Sequence, residues 1–437
     1  MSSSKKLSLL SAIFINLNVM IGAGLFINTY VLSQTAGAAS FLLYPTIGLL
    51  MLPLIAILGK LLSHYPAGGF YTFAASYSPF LGFLSCWSYF FAKLSSCAVM
   101  LFTATRVFQQ IMPGAQHVNT VTMCLLILTF FTIINLQNMK VGIVAQTFFL
   151  TAKSIPILFV IIVGIMLFDT STITSHAFIW QGMPINISLI LYCLSGFETA
   201  CSLSRNIENS TVNAPKAVYY SFGIVILLYG IFQGLTYMIT HTSLSSLSSY
   251  NEIFPCITHQ FFSSDIIANK VSILLNLAIG ISCLGGAYGV LFSNSWNLYT
   301  LAEHNHIPGS SKILKLNLHH TPYISVLAEA AICAMFIVCN QTSQLALQRT
   351  TALGVVVSYT ISAFSYFILL KKIGGSTKDF IISCAAFVTC TIFIISCIVN
   401  FLETGLAPLC LFSAILAIGS IMFMYQHKIK STQAFYK

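Results

Sequence analysis

Asn18-Val19-Met20-Ile21-Gly22-Ala23-Gly24-Leu25-Phe26 sits in the middle of the first long apolar run of the chain, residues 9–33. Two glycines one residue apart weaken a helix there, because glycine loses the most backbone freedom on ordering and shields the peptide groups least. Inside a bilayer, a break in a helix strands N–H and C=O groups that have no water to bond. Such a break persists only where protein or a polar cavity satisfies those groups. A break at mid-depth therefore points to a ligand site, its freed N–H groups and positive dipole end open to an anion. The competing reading is close helix packing, which on this motif alone is the commoner use of small residues in membrane helices.

The remainder of the chain sets the class. Of 437 residues, 57% are hydrophobic and only 6% charged, with a mean hydropathy of +0.89. A soluble domain carries about 25% charged residues, so this composition describes an integral membrane protein. A crossing needs about 20 helical residues. Twelve such runs are present, at 9–33, 39–63, 80–111, 119–136, 143–168, 184–205, 217–241, 269–301, 323–340, 345–371, 378–401 and 405–426. No polar stretch between them is long enough for a soluble domain, and the longest connection, Thr242 to Asn269, is Ser-rich and suited to capping one face. The expected fold is an all-α polytopic membrane protein of about 12 transmembrane helices.

The net charge of +10 is a topology signal and gives no reason to expect a nucleic-acid partner. With a cytoplasmic N-terminus, twelve crossings place fourteen Lys/Arg inside, from Lys5 and Lys6 to Lys430 and Lys437. Only Arg106, Lys270 and Arg349 fall outside, while Lys93 and Lys153 lie within runs. That asymmetry supports the span count and an orientation with both termini cytoplasmic, and the expected location is the cell (inner) membrane. Ala36-Gly37-Ala38 resembles a cleavage site, but the apolar region before it is too long for a signal peptide and another run follows at once. The 13 Cys are scattered without a Cys-x-x-Cys pair. They read as small buried hydrophobes and suggest neither a metal site nor a disulfide framework.

The densest signature follows the second run: Tyr65-Pro66-Ala67-Gly68-Gly69-Phe70-Tyr71, then Gly82-Phe83 and Trp87. Proline ends the helix, the glycine pair turns the chain, and aromatic residues suit the interface. The sixth run supplies Leu191-Tyr192-Cys193-Leu194-Ser195-Gly196-Phe197-Glu198, with Asn209-Ser210-Thr211-Val212-Asn213-Ala214-Pro215-Lys216-Ala217 beyond it, and the eighth leads to Ile307-Pro308 and Thr321-Pro322. With Ile21-Gly22-Ala23-Gly24-Leu25-Phe26, this ordered set closely resembles the amino acid–polyamine–organocation superfamily of permeases. Departures are Lys60 where many members have Glu, Ser210 for Pro, Trp296 for a frequent Arg, and no Ser between Gly22 and Gly24. They bear on substrate more than on fold.

The resemblance implies a 5+5 inverted repeat, 1–170 and 184–372, followed by two further helices at 378–427. The glycine interruptions of the first and sixth runs agree, since corresponding breaks in two halves mark a midplane site. A zwitterionic amino acid needs donors for its carboxylate and acceptors for its ammonium. The backbone around Met20, Ile21, Gly22, Ala23, Gly24 and Leu25 offers N–H groups at Ala23, Gly24 and Leu25. Carbonyls come from Tyr192 and Ser195 beside Gly196, joined by that of Met20. Tyr192 matches the family's aromatic lid, with simple packing as the alternative. Glu198 is an acid inside a run, where a carboxylate costs about 2.5–3.5 kcal/mol, which makes it a candidate for gating or proton coupling, or else a structural bond to the broken first helix. Lys153 corresponds to a lysine that several family members direct at the first and eighth helices, where sodium-coupled relatives hold an ion. It is read as a proton-coupling group, with a fixed counter-ion as the alternative. Lys93 sits mid-run with no role that the sequence assigns.

The leading reading is a secondary transporter of amino acids or related amines, proton-coupled or an exchanger, working by alternating access. A sodium-coupled member and an amino-acid sensor on the same fold are the alternatives. An enzyme would need a nucleophile–base set or metal motif at membrane depth. His304, His306, His319 and His320 lie in a connecting loop without one, so no catalytic residue, metal or cofactor is expected. The outer loop Met112 to Asn119 has no Cys, so no disulfide-linked subunit is expected.

Overall fold

Five of the apolar helices start at a side chain that caps their freed N–H groups. Ser8, Ser78, Asn119, Asn138 and Ser376 each accept a backbone N–H from the first turn that follows. The structure is a computed structural model that describes residues 6–67, 69–168, 182–339 and 344–435. Gly68 of the glycine pair and Lys5 and Lys437 of the charge map lie outside the described residues.

In order, the helices are α1 (Leu9–Met20), α2 (Ala23–Ala36), α3 (Ser40–His64), short α4 (Gly69–Ala75), α5 (Pro79–Ile111), α6 (Thr120–Asn135), α7 (Met139–Met166), α8 (Gly182–Leu194) and short α9 (Thr199–Ser202). There follow α10 (Ser210–Thr240), α11 (Ile253–Phe261), α12 (Asp265–Glu303), short α13 (Ser310–Ile313), α14 (Tyr323–Cys339), α15 (Gln344–Ile373), α16 (Thr377–Thr404) and α17 (Ala407–Phe435). Among the described residues there is no strand beyond a single bridge between Leu7 and Ile207. The protein is therefore all-α and multi-pass. Among the described residues, eight helices are long and apolar enough to cross a membrane, and α1 with α2 adds a ninth as one span bent by 44°. The shorter apolar helices α6 and α14, with α8 and α9, occupy the other runs marked in the sequence.

The broken α1–α2 span is enclosed by α7, α8, α10 and α12, while α5 runs between α12 and α15. Outward faces carry the large exposed apolar side chains, such as Phe130, Val144, Ile162 and Leu227. That distribution suits lipid, which solvates apolar surface where water does not. The Ser-rich connection closes one end: Tyr30 donates to the Leu247 carbonyl at 2.8 Å, and the Phe254 ring of α11 meets that of Phe26.

Small residues on α12 let the broken span approach. A Cβ at Gly285 would stand 2.4 Å from Phe149 Cβ and 2.8 Å from Asn18 Oδ1, and one at Gly286 would stand 2.5 Å from Met100 Sδ. A helix-interior Gly→Ala change gains about 0.5–1 kcal/mol of propensity, but overpacking costs about 1–3 kcal/mol. Gly285→Ala should therefore lower the detergent melting temperature. Gly223→Ala, where a Cβ meets nothing within 4 Å, should leave it unchanged or raise it. Equal melting of the two variants would remove the steric argument.

Candidate functional site

The first break occupies Ile21 and Gly22. Ile21 ends α1 with φ −78° and ψ 83°, and Gly22 is extended at φ −128°, ψ −151°. Ala23, Gly24 and Leu25 then form the first turn of α2, so their N–H groups precede the point at which intrahelical acceptors begin. The carbonyl end of α1 is met by three partners. Lys153 Nζ donates to the carbonyls of Asn18 at 2.7 Å and Ile21 at 2.5 Å. Tyr229 donates to the Met20 carbonyl at 2.7 Å, and Ser282 reaches Ile21 at 3.4 Å. A cation at a helix C-terminus also meets the negative end of the dipole.

The second break runs from Ser195 to Glu198, between α8 and α9. Gly196 has φ 133°, a backbone state that only glycine adopts without strain. A Cβ there would stand 2.8 Å from the Met20 side chain and 2.9 Å from its N, so the two breaks touch at Gly196 and Met20. Asn16 on α1 serves the second break from both sides of its amide. Its Nδ2 donates to the Phe197 carbonyl at 2.7 Å, and its Oδ1 accepts the Ala200 N–H at 3.0 Å. The Tyr192 carbonyl accepts Ser195 Oγ at 2.9 Å.

Glu198 and Lys93 form a buried ion pair, Nζ to Oε1 2.8 Å, with side chains 0% and 3% exposed. The second carboxylate oxygen accepts the Gly196 N–H at 2.7 Å, and Tyr89 donates to Oε1 at 3.3 Å. Glu198 thus bonds α5 and its own loop. The alternative of a structural bond to the first helix is not what the side chain makes here, and Lys93, unassigned from sequence, is its counter-ion.

The two broken helices thus face each other, one bonded by Lys153 of α7 and the other carrying Glu198. The description "Amino acid permease" belongs to the family model that matches residues 7–425. The chain belongs to the amino acid permease family. An aromatic amino acid transport protein, AroP, of Salmonella typhimurium (strain SL1344) is 23% identical over 358 residues, 78% of this chain and 75% of the relative. Amino-acid permease AapA of Bacillus subtilis (strain 168) is 26% identical over 321 residues, 67% of this chain and 65% of the relative. Membership makes the chain a transporter and not an enzyme.

In this permease the substrate-binding candidates are brought together and packed shut. A Cβ on Gly24 would stand 2.8 Å from Cys193 Sγ and 3.0 Å from the Tyr192 ring, and one on Gly22 would stand 3.0 Å from Met100 Cε. Tyr192 therefore lies across the start of α2, while Met100 fills a slot between Gly22 and Gly286. None of Met20, Ile21, Ala23, Leu25, Tyr192 and Ser195 is more than 6% exposed. Two clefts open away from the breaks. One, of about 1020 Å³, is lined by Arg106, Gln109, Asn119 and Tyr250, and the other, of about 310 Å³, by Asn135, Trp296, His319 and His320.

One end is tied by contacts between helix ends and the loops beside them. Arg205 forms two hydrogen bonds to Glu303, the shorter 2.6 Å, and Tyr71 bonds His306 at 2.7 Å. Lys60, unusual for the family, is paired with Asp379 on α16. Sequence reasoning missed Asn16, Asn18, Tyr229 and Gln146. Their shared signal is a lone polar group within an apolar run, and Asn18 Nδ2 does bond Gln146 Oε1 and, at 2.8 Å, the Gly285 carbonyl.

Removing one partner of a buried pair strands the other charge, typically at about 3–5 kcal/mol, whereas removing both costs far less. Lys93→Met should accordingly lower thermal stability in detergent sharply, and Lys93→Met with Glu198→Gln should restore most of it. A double variant no better than the single would show that the pair is not the source of the loss.

Proposed function

We propose that this permease is a secondary active transporter that binds an amino acid between the two breaks and moves it by alternating access, coupled to protons. The observation that carries this reading is the apposition of the breaks, with the N-terminus of α2 and the carbonyl ends of α1 and α8 at one point. The substrate carboxylate would take the N–H groups of Ala23, Gly24 and Leu25, where the dipole of α2 favours an anion. Its ammonium would take the carbonyls of Met20, Tyr192 and Ser195. The first two already accept Tyr229 and Ser195 hydroxyls, yet a carbonyl oxygen has a second lone pair to offer. Tyr192 would act as the lid, since its ring crosses Gly24, and Met100 would withdraw with it. Because backbone groups recognise what all amino acids share, side chains such as these would set preference. Aromatic amino acids head the candidates, given that AroP relatives are named for their transport.

The rest of the reading follows the family pattern. Residues 1–170 and 184–372 would be the inverted repeats and 378–427 the added pair, giving twelve spans with both termini cytoplasmic in the cell membrane. The positive-inside distribution of Lys/Arg supports this orientation. Gly24→Leu should abolish uptake in proteoliposomes while the protein still reaches the membrane, because its side chain would enter the space shared with Tyr192 and Cys193. Normal uptake by that variant would refute the site.

Protons are favoured over sodium because Lys153 places an ammonium at the carbonyl end of α1. A sodium ion 4 Å away would meet a repulsion of about 4 kcal/mol at an effective dielectric of 20. Lys153→Ala should lose accumulation driven by a pH gradient and keep substrate exchange. Wild-type accumulation under an imposed sodium gradient, with no response to an imposed proton gradient, would overturn the coupling assignment.

A further inference from the structure

The ninth run holds an acid that the site does not use. Glu329 lies on α14, six residues from its start, which at 1.5 Å per residue is about 9 Å along the helix. It is 0% exposed, and neither carboxylate oxygen has a partner at hydrogen-bonding geometry. α14 packs against α5, α6, α12 and α13. The titratable groups that reach this region are the Cys97 thiol from α5, the Cys124 thiol from α6, and Cys333 on α14 itself. α12 presents the Asn294 amide, which donates to the Phe90 carbonyl at 3.1 Å. Lys312 of α13 is exposed to solvent, and Lys93 is committed to Glu198. No cation among the described residues is paired with Glu329.

An ionised carboxylate without donor or counter-ion is among the costliest groups to bury, whereas the neutral acid is a modest burden. The site is also connected. Asn294 Oδ1 accepts Asn297 Nδ2 at 2.9 Å, and Asn297 Nδ2 also donates to Ser202 Oγ at 3.0 Å. Ser202 interacts with the Tyr89 hydroxyl, which bonds Glu198. A row of amides and hydroxyls thus runs from Asn294, beside Glu329, to Glu198 through an otherwise apolar core, toward the end closed by Arg205 and Glu303.

We propose that Glu329 is a proton-binding site of the transport cycle, protonated in the closed conformation seen here and linked by this row to the Lys93–Glu198 pair. When the helices part, water entering along the row takes the proton as hydronium and solvates the carboxylate that remains. Closure requires a proton to be taken back from water. The charge on Glu329 therefore changes with access, and the step needs no other reactant. The transport role rests on the proton-coupled reading above.

Two measurements on the full-length protein in lipid separate that reading from this one. The first is isotope-edited infrared spectroscopy with carboxyl-labelled glutamate. The wild type should show a protonated carboxyl band that is lost in Glu329→Gln, and identical spectra would overturn the proposal whatever drives transport. The second uses liposomes loaded with a pH dye, presented with a phenylalanine gradient and, in parallel, phenylalanine exchange. Proton uptake per substrate should fall at least tenfold in E329Q while exchange falls less than threefold, and Glu329→Asp should retain uptake. E329Q that still moves protons would overturn the assignment. Loss of exchange along with uptake in both variants would mark Glu329 as structural and also overturn it. A wild type that has the infrared band but moves no protons with substrate would instead refute the coupling reading, and with it the transport role of Glu329.

Discussion

A peptide group freed inside a membrane must find its partner within the protein, and much of the core follows from that demand. Leaving such a group unsatisfied costs several kcal/mol, more than the roughly 1 kcal/mol that an ordinary hydrogen bond contributes net. Two breaks at one depth therefore oblige the surrounding helices to carry polar side chains where their own packing would prefer apolar ones. α7 gives Lys153, α10 gives Tyr229, and α1 gives Asn16 to the break opposite. Each is a single polar group aimed at backbone. The arrangement ties the broken helices to their neighbours while leaving no unbroken ladder between their halves.

The two readings of the glycines prove to be compatible. Gly22, Gly24 and Gly196 all lie at close contacts, with Met100, with Tyr192 and with Met20, so they are packing residues. Gly22 and Gly196 also stand where the helices stop, Gly196 in a conformation that other residues avoid. In a transporter these uses support each other, because a packed break can be closed in one state and parted in another.

Class, helix order and the positions of both breaks were legible in the sequence, because each is local: hydropathy over about 20 residues, glycine spacing, and proline–glycine punctuation. Partners were not legible. Asn16 and Phe197 are 181 residues apart, and nothing in either neighbourhood names the other. Lys93 looked misplaced at mid-run for the same reason; its position makes sense only once α5 lies beside the second break and Glu198 is there to meet it. Glu329 was passed over although Leu327-Ala328-Glu329-Ala330-Ala331 shows an acid in an apolar setting as plainly as Glu198 does. The family motif drew attention to one acid and away from the other. Twelve runs of similar hydropathy also concealed a difference in kind, since the sixth divides into α8 and the four-residue α9, and the fourth and ninth form short helices.

The four buried Lys and Glu side chains among the described residues are handled by three different devices. Lys93 and Glu198 cancel one another at 2.8 Å, so the pair adds little net charge and holds α5 to the second break. Lys153 is balanced by carbonyl dipoles, which are fixed to the end of α1 and move with it. Glu329 has no counter-ion among the described residues, and the Asn294 amide beside it does not reach hydrogen-bonding geometry. The first device resists change, because separating the pair strands two charges at several kcal/mol each. The second depends on how α1 is placed, since a shift of that helix end removes the carbonyls and leaves an ammonium in apolar surroundings. The third depends on water alone. A cycle that opens the core therefore alters the surroundings of Lys153 and Glu329 far more than those of the pair. In the proposed proton-coupled cycle, the groups whose charge is least compensated are the ones through which a proton gradient would act on the conformation.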